Sequence, residues 1–272
     1  MEFIIFTDLD GTLLDFKTYS FDSALEALTF IKDNNIPLII TTSKTKAEVS
    51  DFLRMLNIHE PFIVENGGGI FLPKIYRGVI TEIGVEYDDF RFVTLGLDIN
   101  KILSFANTSK AEFNIKLYND FSEEELSIYT GLEKENVLKS QKRNFSVPFI
   151  FLDDNEYNIK ELKNRASKKG IKILRGGRFY HFVGINQDKG RAVKIVQQFI
   201  EELLNIKTVS IGIGDSLNDL DMLKSTDIPV LVKKYDGTYE NVNITKALRS
   251  TLPGPEGFNE MILKILKAKN NF

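Results

Sequence analysis

Short apolar runs that stop at polar, turn-forming stretches alternate along this chain with longer segments in which apolar residues recur every three or four positions. Phe3 to Phe6 reads as a buried strand ending at Thr7-Asp8-Leu9-Asp10-Gly11-Thr12. Ala24, Leu25, Leu28 and Ile31 then share one helical face, and Asn34-Asn35 closes that helix before a second strand, Ile36 to Ile40, which runs into Thr41-Thr42-Ser43-Lys44-Thr45. Val49, Phe52, Leu53 and Leu56 repeat the helical spacing, and Pro61 to Val64 gives a third strand followed by Glu65-Asn66-Gly67-Gly68-Gly69. The rhythm returns late in the chain. Ala192, Val193, Val196, Phe199, Ile200 and Leu203 make an amphipathic helix, Thr208 to Ile213 a strand that exits into Gly214-Asp215-Ser216-Leu217-Asn218-Asp219, and Ile228 to Val232 a further strand. Strands and helices alternating over short connections predict an α/β fold, with a parallel sheet covered on both faces. Such sheets bind ligands beyond the carboxyl ends of their strands, where the four polar loops converge.

From about Arg77 to about Gly184 the rhythm breaks into a mixed set. The pattern predicts strands near Val79 to Val85, Phe113 to Leu117, Pro148 to Leu152 and Lys172 to Leu174, and helices near Ile99 to Ala106, Glu123 to Tyr129 and Tyr157 to Lys168. The division expected is a core from residues 1–78 and 185–272, with residues 79–184 inserted as a second domain between the third and fourth core strands. The tail from Lys267 to Phe272 is expected to fray.

Composition narrows the chemistry. Apolar residues at 43% and charged residues at 27% describe an ordinary globular chain. A net charge of −3 gives no global attraction to nucleic acid or anionic lipid, so the partner expected is a small molecule. With no cysteine there is no thiolate metal site, disulfide or cysteine nucleophile, and with two histidines, His59 and His181, a three-histidine zinc site is impossible. Carboxylates become the leading candidates. The apolar stretch Met1 to Phe6 is too short for a signal-peptide core, and no later run approaches a spanning length, so the expected location is the cytoplasm.

Asp8 and Asp10 stand one residue apart just past a strand end, where two like charges aimed into one space need a cation between them. A hard divalent ion resolves that conflict, and Mg²⁺ suits a ligand set drawn from Asp8, Asp10, Asp215 and Asp219. Each acidic string alone is explained equally well by a turn or a helix cap. Two of them at the exits of two predicted parallel strands favour a site. Thr42 or Ser43 offers a hydroxyl and, with the following helix start, backbone N–H groups to a phosphate; the plain alternative is an N-cap. Lys189 precedes a helix and can neutralise phosphoryl charge, the alternative being a solvated lysine. In Glu65 to Gly69 the glycines allow close approach of backbone to a ligand.

Taken in order, Asp8-Leu9-Asp10-Gly11-Thr12, Thr42-Ser43, Lys189 and Gly214-Asp215-Ser216-Leu217-Asn218-Asp219 resemble the four motifs of the haloacid dehalogenase superfamily. The resemblance spans essentially the whole chain and implies a Rossmann-like three-layer core with an inserted α+β cap of the Cof type. A narrower resemblance, to the mannosyl-3-phosphoglycerate phosphatases of that superfamily, rests on Thr42-Ser43-Lys44-Thr45, Glu65-Asn66-Gly67-Gly68, Arg143 to Phe149, Gly177-Arg178-Phe179-Tyr180-His181 and Gly254-Pro255-Glu256-Gly257-Phe258. Generic Cof-type sugar phosphatases carry Thr-Gly-Arg where this chain has Thr42-Ser43-Lys44, and Phe258 stands where the narrower group carries Trp.

The resemblance implies a Mg²⁺-dependent phosphoric monoester hydrolase in which Asp8 is the nucleophile, Asp10 the acid and then base, and Lys189 with Thr42 and Ser43 the phosphate site. It implies cleavage of mannosyl-3-phosphoglycerate to mannosylglycerate and phosphate, with glucosyl-3-phosphoglycerate or a broader range of sugar phosphates as the alternative. The second anion of such a substrate, a carboxylate, assigns Lys44, Arg143, Ser146, Arg178 and His181 to substrate binding, together with Asn66. For Arg178 and His181 the competing explanation is a β-turn at Gly176-Gly177 with solvated flanks. A phosphomannomutase and a non-enzymatic phospho-accepting domain are the rival readings, the latter opposed by the large insertion. The protein expected is a monomer or homodimer with no nucleic-acid or membrane partner.

Overall fold

The structure, a computed structural model, describes residues 2–153 and 156–269. The chain opens with β1 (Glu2–Thr7), α1 (Leu25–Asp33), β2 (Leu38–Thr41), α2 (Lys46–Leu56), β3 (Phe62–Val64) and β4 (Gly69–Pro73). A small hairpin, β5 (Ile75–Tyr76) and β6 (Val79–Ile80), leads to β7 (Val85–Tyr87) and β8 (Phe90–Thr94). There follow α3 (Ile99–Phe113), β9 (Ile115–Leu117), α4 (Glu123–Thr130), α5 (Lys134–Ser140), β10 (Ser146–Phe151), α6 (Glu156–Ser167), β11 (Ile171–Arg175) and β12 (Tyr180–Gly184). The chain finishes with α7 (Lys189–Leu204), β13 (Thr208–Gly214), α8 (Leu220–Ser225), β14 (Ile228–Lys233), β15 (Leu248–Pro253) and α9 (Gly254–Lys269).

A nine-stranded sheet runs β15-β14-β13-β1-β2-β3-β4-β8-β7. From β15 to β3 every pairing is parallel, as the alternating pattern predicts, whereas β4, β8 and β7 add on antiparallel. Alternate residues of β1 feed the two faces. Ile5 packs with Ala27, Val49, Phe52 and Met261 from α1, α2 and α9, while Ile4 and Phe6 pack with Val193, Val196 and Leu223 from α7 and α8. This makes three layers, because side chains of a strand point to opposite faces at a period of two.

A separate four-stranded antiparallel sheet, β11-β12-β10-β9, packs on α3 and α6 around Ile102, Phe149, Leu162 and Phe182. It lies within the span expected to be inserted. Residues 79–94 depart from that expectation: β7 and β8 pair into the large sheet, Phe92 opposite Phe71 and Val93 opposite Ile70. Phe62, Phe71 and Phe90 cluster there, with ring centroids 4.9 Å apart for the first two and 5.3 Å for Phe62 and Phe90. Apolar contacts with a strand far back in the chain thus outweigh the break in rhythm seen locally. The periodicity also leaves β4, β8, α5, β12, β15 and α9 unforeseen. The tail expected to fray is helical through Lys269, and residues 270–272 lie outside the described residues. Among the described residues no helix is long and apolar enough to cross a membrane.

Candidate active site

Asp8 follows β1 directly. Its amide donates to the Ile213 carbonyl at 3.0 Å, and its side chain is buried. Lys189, the first residue of α7, donates from Nζ to Asp8 Oδ1 at 2.6 Å and to Asp219 Oδ1 at 2.7 Å. The Lys189 side chain has 0% exposure, which removes the solvated-lysine alternative. Asp188, accepting from the Arg191 amide at 2.6 Å, caps the helix and fixes where that lysine starts.

One oxygen each of Asp8, Asp215 and Asp219 lie within 4.8 Å of one another. Asp219 Oδ2 accepts from the Asp215 and Ser216 amides at 3.2 and 3.1 Å, so part of its work is to shape the loop. Asp215 Oδ1 accepts from Thr12 Oγ1 at 3.3 Å. Gly11, at φ +80°, is required here, since a Cβ would stand 2.8 Å from Asp215 Oδ2.

Asp10 is not part of this carboxylate group, contrary to the ligand set read from the sequence. Strand geometry ends at Thr7, and the turn closed by Thr12 N and Leu14 N on the Leu9 carbonyl sends Asp10 elsewhere. Its Oδ2 pairs with Lys44 Nζ at 3.0 Å, and its Oδ1 is buried without a partner.

Burial, the Asp219 carboxylate and, more weakly, Asp10 push the Asp8 carboxyl up to about 7 against the pull of Lys189. Burial with Asp219 and Asp8 raises Asp215 well above the ordinary carboxylate range. Burial disfavours the Lys189 ammonium, but Asp219 and Asp8 outweigh it and hold the lysine charged. Lys44 likewise loses by burial and is held charged by Asp10 and Glu48. Three buried carboxylates facing one ammonium form a hard-oxygen donor set short of positive charge, a chemistry that fits a hard divalent cation such as Mg²⁺.

Above this cluster lies a cavity lined by Asp8, Asp10, Ser43, Lys44, Arg143, Arg178, His181, Asp215 and Asn218. The other predicted residues stand behind that wall. Thr42 is buried, its Oγ1 accepting from the Lys44 amide at 3.2 Å. Asn66 does not line the cavity; its Oδ1 accepts from Asn218 Nδ2 at 3.0 Å and so orients a residue that does. Ser146 is fully buried between Arg143 and Glu65. These two therefore support the lining and do not form it. Neither Thr42 nor Ser43 caps α2: Thr45 does, in a reciprocal pair with Glu48.

His181 is buried, not solvated, and burial with Arg143 and Lys189 lowers its pKa to about 3. It faces the cavity as a neutral imidazole whose Nδ1 is buried without a partner. The turn at Gly176-Gly177 is real, closed by the Gly176 amide on the Phe179 carbonyl at 2.9 Å. Arg178 is nevertheless anchored: it donates to the Phe16 carbonyl at 2.6 Å and lies 4.0 Å over the Phe16 ring. The glycines after Glu65 also differ from expectation. What approaches Gly67 is the Asp188 backbone, 2.2 Å from where a Cβ would be, and what approaches Gly68 is Phe145. Sequence reasoning missed Glu65 itself, whose buried carboxylate accepts from Asn144 N, Phe145 N and Ser146 Oγ at 2.8, 3.0 and 2.7 Å. Its one visible signal was an acid between a strand and a glycine run.

A family model for haloacid dehalogenase-like hydrolases matches residues 5–240, and the chain belongs to that family of enzymes. It is similar to a glucosyl-3-phosphoglycerate/mannosyl-3-phosphoglycerate phosphatase of Persephonella marina, 44% identical over 263 residues, which cover 97% of this chain and 97% of that protein. A protein of the same description from Methanococcoides burtonii is 37% identical over 276 residues, covering 100% of both. Among solved structures, a HAD subclass IIB sugar phosphatase superposes with a TM-score of 0.64 at 18% identity, over 99% of this chain and 100% of that one. That likeness shows a common α/β fold.

Proposed function

We propose that this hydrolase releases inorganic phosphate from a glycosyl-3-phosphoglycerate, with mannosyl-3-phosphoglycerate as the substrate and the glucosyl ester as the alternative. The observation that carries the reading is the buried group of Asp8, Lys189, Asp215 and Asp219 at the floor of a cavity whose wall holds Asp10 and the cations Lys44 and Arg143. The printed descriptions of both relatives support the substrate class and favour a chain that accepts either sugar.

In this reading an Asp8 oxygen attacks phosphorus in line, the bond from phosphorus to the glycerate oxygen breaks, and Asp10, protonated once the substrate carboxylate takes Lys44 from it, gives its proton to the departing alkoxide. Water then attacks the aspartyl phosphate, Asp10 takes a proton from it, and phosphate and the free glycosylglycerate leave. Lys189 and Ser43 offset and orient charge on the transferring group. Asp8 and Asp215 would hold Mg²⁺, which when bound would supply further positive charge there. Lys44 pairs with Asp10 at 3.0 Å and with Glu48 at 3.6 Å, so a substrate carboxylate entering the cavity competes for it. Arg143, whose Nε is buried without a partner, offers a second point for that anion.

A phosphate-release screen with Mg²⁺ across sugar phosphates and both glycosyl-3-phosphoglycerates tests the proposal. The expected profile peaks at the two carboxylated esters and vanishes in Asp8→Asn; a flat profile or an active Asp8→Asn variant contradicts it.

A further inference from the structure

Glu65 is a carboxylate in the core whose hydrogen-bond donors all come from the stretch that leads into β10. Asn144 N donates to Oε1 at 2.8 Å, Phe145 N to Oε2 at 3.0 Å, and Ser146 Oγ to Oε2 at 2.7 Å. Ser146 Oγ in turn accepts from Arg143 Nη1 at 3.0 Å, and the same nitrogen reaches the Ser43 carbonyl at 3.1 Å. A chain of bonds thus runs from Glu65 through Ser146 to the guanidinium on the cavity wall.

Glu65 is itself held from three sides. Its amide donates to the Lys44 carbonyl at 2.9 Å, its carbonyl accepts from Gln187 Nε2 at 2.5 Å, and the backbone of Glu65 and Asn66 is left-handed, at φ +49° and +58°. Two consecutive non-glycine residues in that region cost free energy, and they persist only where the surroundings over-determine them. Here the strained turn touches the loop of Ser43 and Lys44, the approach to Lys189 and the segment carrying Arg143. Phe145 packs against Gly68 and Gly96, where added Cβ atoms would lie 2.5 and 2.6 Å from its side chain. A side chain at either glycine would meet the Phe145 ring and disturb the seating of the segment.

We infer that Glu65 is a positioning residue for substrate recognition: it docks residues 144–146 onto the core and, through Ser146, aims Arg143 at the second anion of the substrate. The inference rests on the reading of the substrate as a carboxylated phosphate ester. Glu65 does not line the cavity, and its action passes entirely through Arg143. Replacing its carboxylate by an amide of equal size forces an N–H₂ group against the donors of this segment and frees the guanidinium to reorient.

The test compares kcat and KM for mannosyl-3-phosphoglycerate and for p-nitrophenyl phosphate, an ester with no carboxylate, in the Mg²⁺-loaded wild type, Glu65→Gln and Ser146→Ala. The ratio of kcat/KM between the two substrates is expected to fall at least ~10-fold in both variants, with the loss in KM for the carboxylated ester. A general weakening of the fold would lower both substrates together. Should Glu65→Gln fail to fold, Ser146→Ala decides alone, since it removes one hydroxyl from the same chain of bonds. A ratio kept within about twofold of wild type overturns the inference. A wild-type enzyme with no preference for the carboxylated ester sinks the substrate reading, and the inference with it.

Discussion

Three buried carboxylates face one ammonium, and that imbalance governs how Asp8 behaves with pH. The folded Asp8 carboxyl titrates near 7 against 3.8 when exposed, so between those values the unfolded chain is ionised while the folded chain keeps a proton. The stability this contributes is complete below 3.8 and disappears as pH rises through 7. With divalent cations chelated, Asp8→Asn should gain stability relative to wild type between pH 4 and 8, read as the difference in urea midpoints. His181 behaves in the opposite sense. Folded, it takes a proton only near 3, against 6.5 when exposed, so its stabilising contribution is present above 6.5 and lost as pH falls toward 3. His181→Gln should flatten that part of the acid-unfolding curve, and an unchanged slope would contradict the neutral imidazole.

At the scale of elements, the helices begin where side chains satisfy free N–H groups, and those caps also set the site. Thr45 Oγ1 accepts from the Glu48 amide at 3.2 Å and donates to the Lys139 carbonyl at 2.9 Å, joining α2 to α5. Thr45→Ala removes both bonds, and its expected cost of about 1–2 kcal/mol in chemical denaturation reflects a lost cap and a lost tie between helices. The sequence reading placed this cap at Thr42 or Ser43, three or two residues too early, because all of these hydroxyls precede the same helix. By contrast β15 was not visible, because Leu248 and Leu252 remain half-exposed on an edge strand and give no clean alternation. The pairing of β8 was hidden for another reason: Phe90 and Phe92 find their partners in Phe62 and Phe71, contacts that no local window contains.

Across the whole molecule the four-stranded unit closes over the carboxyl ends of the parallel strands. Tyr19 donates to the Thr130 carbonyl at 2.7 Å, and Arg178 donates to the Phe16 carbonyl at 2.6 Å and lies over the Phe16 ring. If a cation binds the charge deficit beneath that cover, its binding should couple to folding, since a ligand bound only by the native state stabilises it by mass action. Mg²⁺ at about 100 times its dissociation constant should add about 2.7 kcal/mol and raise the thermal midpoint. Asp215→Asn should abolish most of that rise; a variant that keeps it would remove Asp215 from the ligand set.

The ordered motifs alone determined which loops carry the chemistry, because a strand followed by a polar turn delivers its residues to the carboxyl edge of a parallel sheet wherever the rest of the chain goes. Asp8, Asp215 and Asp219 were legible for that reason, and Lys189 as the lysine opening an amphipathic helix. Only the tertiary structure decided which side chains face the cavity. Once a strand ends, the direction of a side chain is set by donors and acceptors distant in sequence: Lys44 draws Asp10 out of the carboxylate group, Asn218 claims Asn66, and three donors some eighty residues away give Glu65 its place.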